Sequence, residues 1–150
     1  MPHLVILYTP NLEGKTDMTA LCRALADTMI QQLDEDGKQV FPTGGTRVLA
    51  YPAAHYAVAD GGTAGRTAGT ALGWVGSDPG DYAFVYLNLR MGAGRSDTIK
   101  KVAGNALLTR ARAHFDHLFA QNHIGITLQV DEGQEAYNGK HSNIHPLFLK

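Results

Sequence analysis

At 150 residues the chain has the length of one domain. Its 44% hydrophobic and 18% charged residues exclude a disordered chain, and a formal net charge of −1 excludes a global basic field for nucleic acid. No apolar run approaches the roughly 20 residues of a membrane span. No charged start leads into an apolar segment of the kind that directs secretion, and the single Cys22 has no partner for an internal disulfide. Together these point to a reducing cytoplasm.

The opening residues Met1-Pro2-His3-Leu4-Val5-Ile6-Leu7-Tyr8 read as a strand from about His3 to Tyr8, apolar and partly β-branched. Proline after an initiator methionine is small enough for that methionine to be trimmed. The product would carry a free secondary amine at Pro2, held in place by the strand behind it. An α-amino group titrates at about 7.7–8.0. An apolar pocket and nearby arginines would lower that value and make the amine a usable base. Pro2 also has a plainer reading as the first residue of an edge strand, where no donor is needed.

A helix is expected from Thr16 or Asp17, either of which can cap it, with Gly37 as its stop. Met18, Leu21, Cys22, Leu25, Met29, Ile30 and Leu33 form its apolar face. Cys22 lies on that face and reads as a small core residue. Phe41-Pro42-Thr43-Gly44-Gly45 is a turn, and a second strand runs from about Thr46 to Tyr51, bounded by Pro52. A helical crossover of this length joins two parallel strands.

Residues 60–80 hold seven glycines, too much backbone freedom for a regular element. A long surface loop is expected, pinned by Leu72, Trp74 and Val75. Asp81 to Met91 reads as a strand of the sheet centre, apolar on both faces in its inner part. Gly92-Ala93-Gly94-Arg95 turns the chain, and Ser96 caps a helix to about Gln121. Its stripe is Ile99, Val102, Ala103, Ala106, Leu107, Ala111, His114, Phe115, Leu118 and Phe119. A fourth strand, Ile124 to Val130, alternates. The pattern is strand–helix–strand twice: an α+β domain over residues 1–150, with a four-stranded sheet and two helices on one face. The other face needs a cover, which a closed oligomer could supply. The tail from Tyr137 ends in Ile144, Leu147 and Phe148 and is expected to dock on something.

Two arginines are candidates for chemistry beside Pro2. Arg95 precedes a helix N-terminus, where free N–H groups and a guanidinium favour an anion; the alternative is a solvated side chain after a glycine turn. Arg47 enters the second strand after Gly44-Gly45 and on its own reads as a surface residue. No Gly-Lys-Ser/Thr follows Gly94, so nucleotide binding is not expected. His114 and His117 lack a Glu or Cys at ligand spacing, so no metal site is expected. His141 and His145 in the tail carry no pattern.

Met1-Pro2-His3 opening a strand, Asp81-Tyr82-Ala83-Phe84-Val85 leading into Gly92-Ala93-Gly94-Arg95-Ser96, and the ending Asn143-Ile144-His145-Pro146-Leu147-Phe148 together resemble the 5-carboxymethyl-2-hydroxymuconate Δ-isomerase family of the tautomerase superfamily. The resemblance spans nearly the whole chain. It implies a tautomerase-like fold of two β-α-β units, a homotrimer, and processed Pro2 as catalytic base. It also implies that Arg95, with Arg47 as a less secure match, binds and polarises a small-molecule dicarboxylate. The reaction is a proton shift, so no cofactor is implied. The Gly-rich stretch at about 62–77 looks like a loop insertion. Two other functions fit the same scaffold: a non-catalytic trimeric binding protein, and a hydratase.

Overall fold

The computed structural model describes residues 1–74 and 82–149. Its order is β1 (His3–Tyr8), α1 (Met18–Ile30), β2 (Arg47–Pro52), α2 (Thr63–Ala71), β3 (Ala83–Gly92), α3 (Asp97–Phe119) and β4 (Ile124–Gly133). The four strands form one sheet in the order β2-β1-β3-β4. β1 pairs parallel with β2, with His3 opposite Arg47, and antiparallel with β3, with His3 opposite Arg90. β3 and β4 are parallel from Ala83–Ile124 to Gly92–Gly133. Each parallel pair is one β-α-β unit, and the two units meet antiparallel at the sheet centre.

Alternation along the strands decides what is buried. Leu4, Ile6, Val85, Leu87 and Leu89 point to the helices and are fully enclosed with Leu21, Leu25, Met29, Leu107 and Phe115. The opposite face carries Val5, Leu7, Leu49, Tyr51, Phe84 and Tyr86, and there Leu7, Leu49 and Tyr51 stay 44–48% exposed. The third strand is therefore sealed on one face and only partly covered on the other.

The helix ends follow their side-chain chemistry. Asp17 caps α1 by accepting from the Ala20 N–H at 2.9 Å, and Ser96 caps α3 by accepting from the Ile99 N–H at 3.2 Å. The expected stop of the first helix at Gly37 is corrected: α1 ends at Ile30. Asp34 competes for the backbone by accepting from the N–H groups of Asp36 and Lys38. Leu33 leaves the helix to bridge Gln39, and Gly37 belongs to that turn. On α3 the stripe is narrower than expected, with Val102 and Phe119 54% and 42% exposed.

The loop expected at about 62–77 is also corrected, because Thr63–Ala71 is helical. Asp60 supplies the start, accepting from the N–H groups of Gly62 and Ala64, both at 3.0 Å. Gly65 and Gly69 are one turn apart and both buried. Their missing side chains let the helix lie close to Tyr82, whose hydroxyl accepts from the Gly65 N–H at 2.8 Å. Trp74 then stacks against His123, ring centres 4.6 Å apart. The expected anchor Val75 and the strand start at Asp81 lie outside the described residues. No described helix is long and apolar enough to cross a membrane.

Candidate active site

A cavity of about 470 Å³ opens at the end of the sheet where β1 begins and β3 ends. Two turns and the chain start meet there. Pro2 enters from the head of β1, Pro42 and Gly45 from the turn before β2, and Gly92 and Arg95 from the turn before α3. Pro2 is buried and continues the alternation of Leu4 and Ile6. Its ring thus belongs to the helix side of the sheet while its nitrogen stands at the strand's open end. The Met1 side chain also lines the cavity, within 3.5 Å of where a Cβ on Gly45 would lie.

Arg95 is held by its own backbone surroundings. It donates from Nη1 to the Gly92 carbonyl at 3.2 Å and from Nη2 to the Val40 carbonyl at 3.0 Å. Its guanidinium carbon stands 5.5 Å from the centre of the Phe41 ring. Gly94 makes this return possible with φ of +110°, a conformation that side chains rarely tolerate. Two carbonyls and an aromatic face fix the guanidinium, so little of its freedom remains to be lost on binding an anion.

The α3 N-terminus, where an anion was expected, is partly occupied by the chain's own groups. Ser96 fills the cap, and Asp97 stands in the first turn, paired with Lys100 at 2.8 Å. The groove on that side of Arg95 is lined by Asp34, Glu35 and Asp36, which would repel an anion. On the Pro2 side no lining residue is acidic. The acid-free side of Arg95 is thus the cavity it shares with Pro2.

The structure brings Pro2 and Arg95 together and does not bring Arg47 with them. Arg47 lies on the open face of the sheet and is not among the residues lining the cavity. Its Nη1 donates to the carbonyls of Gly44 and Thr46, at 3.0 and 2.9 Å. Its neighbour His3 has its pKa lowered, first by burial and then by the positive chain terminus and Arg47.

Sequence reasoning missed the tail as a wall of the site. Lys140, Ser142, His145 and Pro146 all line the cavity. The apolar ending gave a signal that the tail docks, but not where. His114, weighed as a possible ligand, instead shares a 2.7 Å hydrogen bond with Thr16. No group of His, Cys, Asp and Glu suited to a metal occurs among the described residues.

Two β-α-β units that meet antiparallel in one four-stranded sheet, with Pro2 and Arg95 lining a cavity at its end, make a tautomerase-like fold. A family model described as 5-carboxymethyl-2-hydroxymuconate isomerase matches residues 2–148, and the chain belongs to that family of isomerases. A crystal structure of a 5-carboxymethyl-2-hydroxymuconate delta-isomerase superposes with a TM-score of 0.90 at 55% identity, covering 100% of this chain and 94% of that one. A 5-carboxymethyl-2-hydroxymuconate isomerase from Deinococcus radiodurans R1 gives 0.76 at 33% identity, over 99% and 95% of the two chains. The 5-carboxymethyl-2-hydroxymuconate Delta-isomerase of Escherichia coli is 25% identical over 148 residues, 99% of each chain.

Proposed function

We propose that this isomerase moves a proton along the conjugated system of an unsaturated 2-hydroxy or 2-oxo polycarboxylate, such as 5-carboxymethyl-2-hydroxymuconate, with Pro2 as base. The observation that carries this reading is that Pro2 and Arg95 share a cavity whose lining includes no carboxylate. Loss of Met1 would do two things at once. It would convert the Pro2 nitrogen from an amide into a secondary amine, and it would clear a side chain from the cavity. The neutral amine would take the proton of the enol hydroxyl, and the resulting cation would return a proton to a carbon further along the chain. Arg95 would bind a carboxylate or oxo group and stabilise the negative charge that builds on the dienolate. The apolar walls at Pro42 and Pro146 would limit water and favour the uncharged amine.

The homotrimer belongs to the same reading. The half-exposed Leu7, Leu49 and Tyr51 lie on a sheet face that a symmetric assembly would cover. Arg47 on that face would then reach substrate only across a contact between copies.

The test is to mix the methionine-free protein, its processing checked by intact mass, with 5-carboxymethyl-2-hydroxymuconate and follow the ultraviolet band of the dienol. Rapid conversion is expected. Pro2→Ala should lose about 10²–10⁴-fold in kcat with the fold retained, and normal turnover in that variant would sink the mechanism. NMR of the product separates isomerisation from hydration. No conversion by a correctly processed protein would favour a binding role.

A further inference from the structure

The C-terminal tail reaches the cavity by an unusually close approach. A Cβ on Gly44 would stand 2.7 Å from the His145 Cα and 3.2 Å from the Phe148 ring, so only glycine admits the tail backbone here. Ser142 Oγ accepts from the Ile144 N–H at 3.1 Å and the His145 N–H at 3.4 Å, which fixes the entry to a single 3-10 turn, His145–Phe148. Lys140, Ser142 and His145 are thereby set on the wall of the cavity that holds Pro2 and Arg95.

Lys140 forms no ion pair among the described residues. His145 Nδ1 is buried against Gly44, 2.8 Å from where a Cβ there would stand, and has no hydrogen-bond partner among the described residues. With Arg95 and Lys140 cationic and no acid in the lining, a ligand of this cavity carries negative charge.

We propose that Lys140 and His145 form a second anion subsite. A substrate with two carboxylates is then held by Arg95 at one carboxylate and by the tail at the other, and the tail selects dicarboxylic over monocarboxylic acids. The proposal rests on the reading of this cavity as a dicarboxylate site, but its test does not depend on turnover.

Calorimetric titration of the methionine-free protein with adipate and with hexanoate compares two acids of equal length that differ in one carboxylate. The native protein binds adipate more tightly. Lys140→Met and His145→Gln each lower the adipate-to-hexanoate affinity ratio by about threefold to tenfold, as expected for one charge-assisted contact near solvent, and Lys140→Arg largely restores it. A native protein that does not distinguish the two acids overturns the proposal, as does equal weakening of both acids in the variants, which marks a tail that only supports the wall. In turnover the same variants raise KM for the dicarboxylate and leave kcat nearly unchanged. If the native protein separates adipate from hexanoate but isomerises nothing, the isomerase mechanism fails and the subsite stands.

Discussion

The two faces of the sheet are built from the same four strands, yet they obey different rules. On the helix side Leu4, Ile6, Leu87 and Leu89 have no exposed surface. On the other side Leu7, Leu49 and Tyr51 stay 44–48% exposed, and the polar end is tied by Asn88. That residue donates to Asp131 at 2.7 Å and accepts from Arg90 Nε at 2.6 Å. One face is finished within the chain. The other holds apolar area that contributes stability only when something covers it. The difference separates the candidate residues: the closed face supports the cavity shared by Pro2 and Arg95, and the open face carries Arg47.

The largest effect that tests this contrast is in the core. Leu87→Ala removes a fully enclosed side chain and should cost about 2–5 kcal/mol, read from urea unfolding. Leu7→Ala, from the adjacent strand but the other face, should cost less than about 1 kcal/mol in dilute protein. Its cost should grow with protein concentration as copies cover the face, because assembly stabilises the folded chain by mass action. Equal costs at every concentration would mean that nothing covers it.

Next in size is a charge placed on the open face. Leu49→Asp puts a carboxylate where a neighbouring copy would pack, and sedimentation should show the assembly falling apart into folded single chains. An unchanged assembly would remove this face from the interface. If single chains keep full isomerase activity, Arg47 has no role across a contact, since its guanidinium stays on the Gly44 and Thr46 carbonyls.

Much of this contrast was legible beforehand, and the misses have physical causes. The strands could be read because their apolar residues alternate, and the helix starts because Asp17 and Ser96 are good caps. The Gly92–Arg95 turn was legible as a candidate anion site. Its direction was not, since that depends on the Val40 carbonyl and the Phe41 ring, which are distant in sequence. Helix α2 was hidden because composition counts Gly65 and Gly69 as breakers, whereas tertiary packing uses them for close approach. The tail wall was hidden for a similar reason. Gly44 reads as a turn residue, and its second role, admitting the His145 backbone, exists only in three dimensions.

The smallest expected effect is one of pH, and it sets the two layers against each other. His3, opposite Arg47 and Arg90 on the sheet, and His114, between the two long helices, both have pKa values lowered from 6.5. Burial is the first cause for both. Around His3 the chain terminus, Arg47 and Arg90 add to it while Glu135 opposes; around His114 the charges of His117 and Arg110 add to it while Asp17 opposes. A depressed histidine binds protons less readily in the folded chain than in the unfolded one. Stability is therefore complete above the unfolded value and falls as pH drops through the window between 6.5 and the lower folded values. Asp97 and Asp131, whose pKa values are held below 3.8, do not titrate in that window. The urea midpoint should accordingly decline from pH 7.5 to 5.5, and His114→Gln should flatten part of the slope at any protein concentration. The His3 share should change with concentration if copies cover the open face, because covering it buries His3 further. A His3→Gln substitution that removes the same part of the slope in dilute and in concentrated protein would place His3 outside the contact and confine the interface to the apolar part of that face.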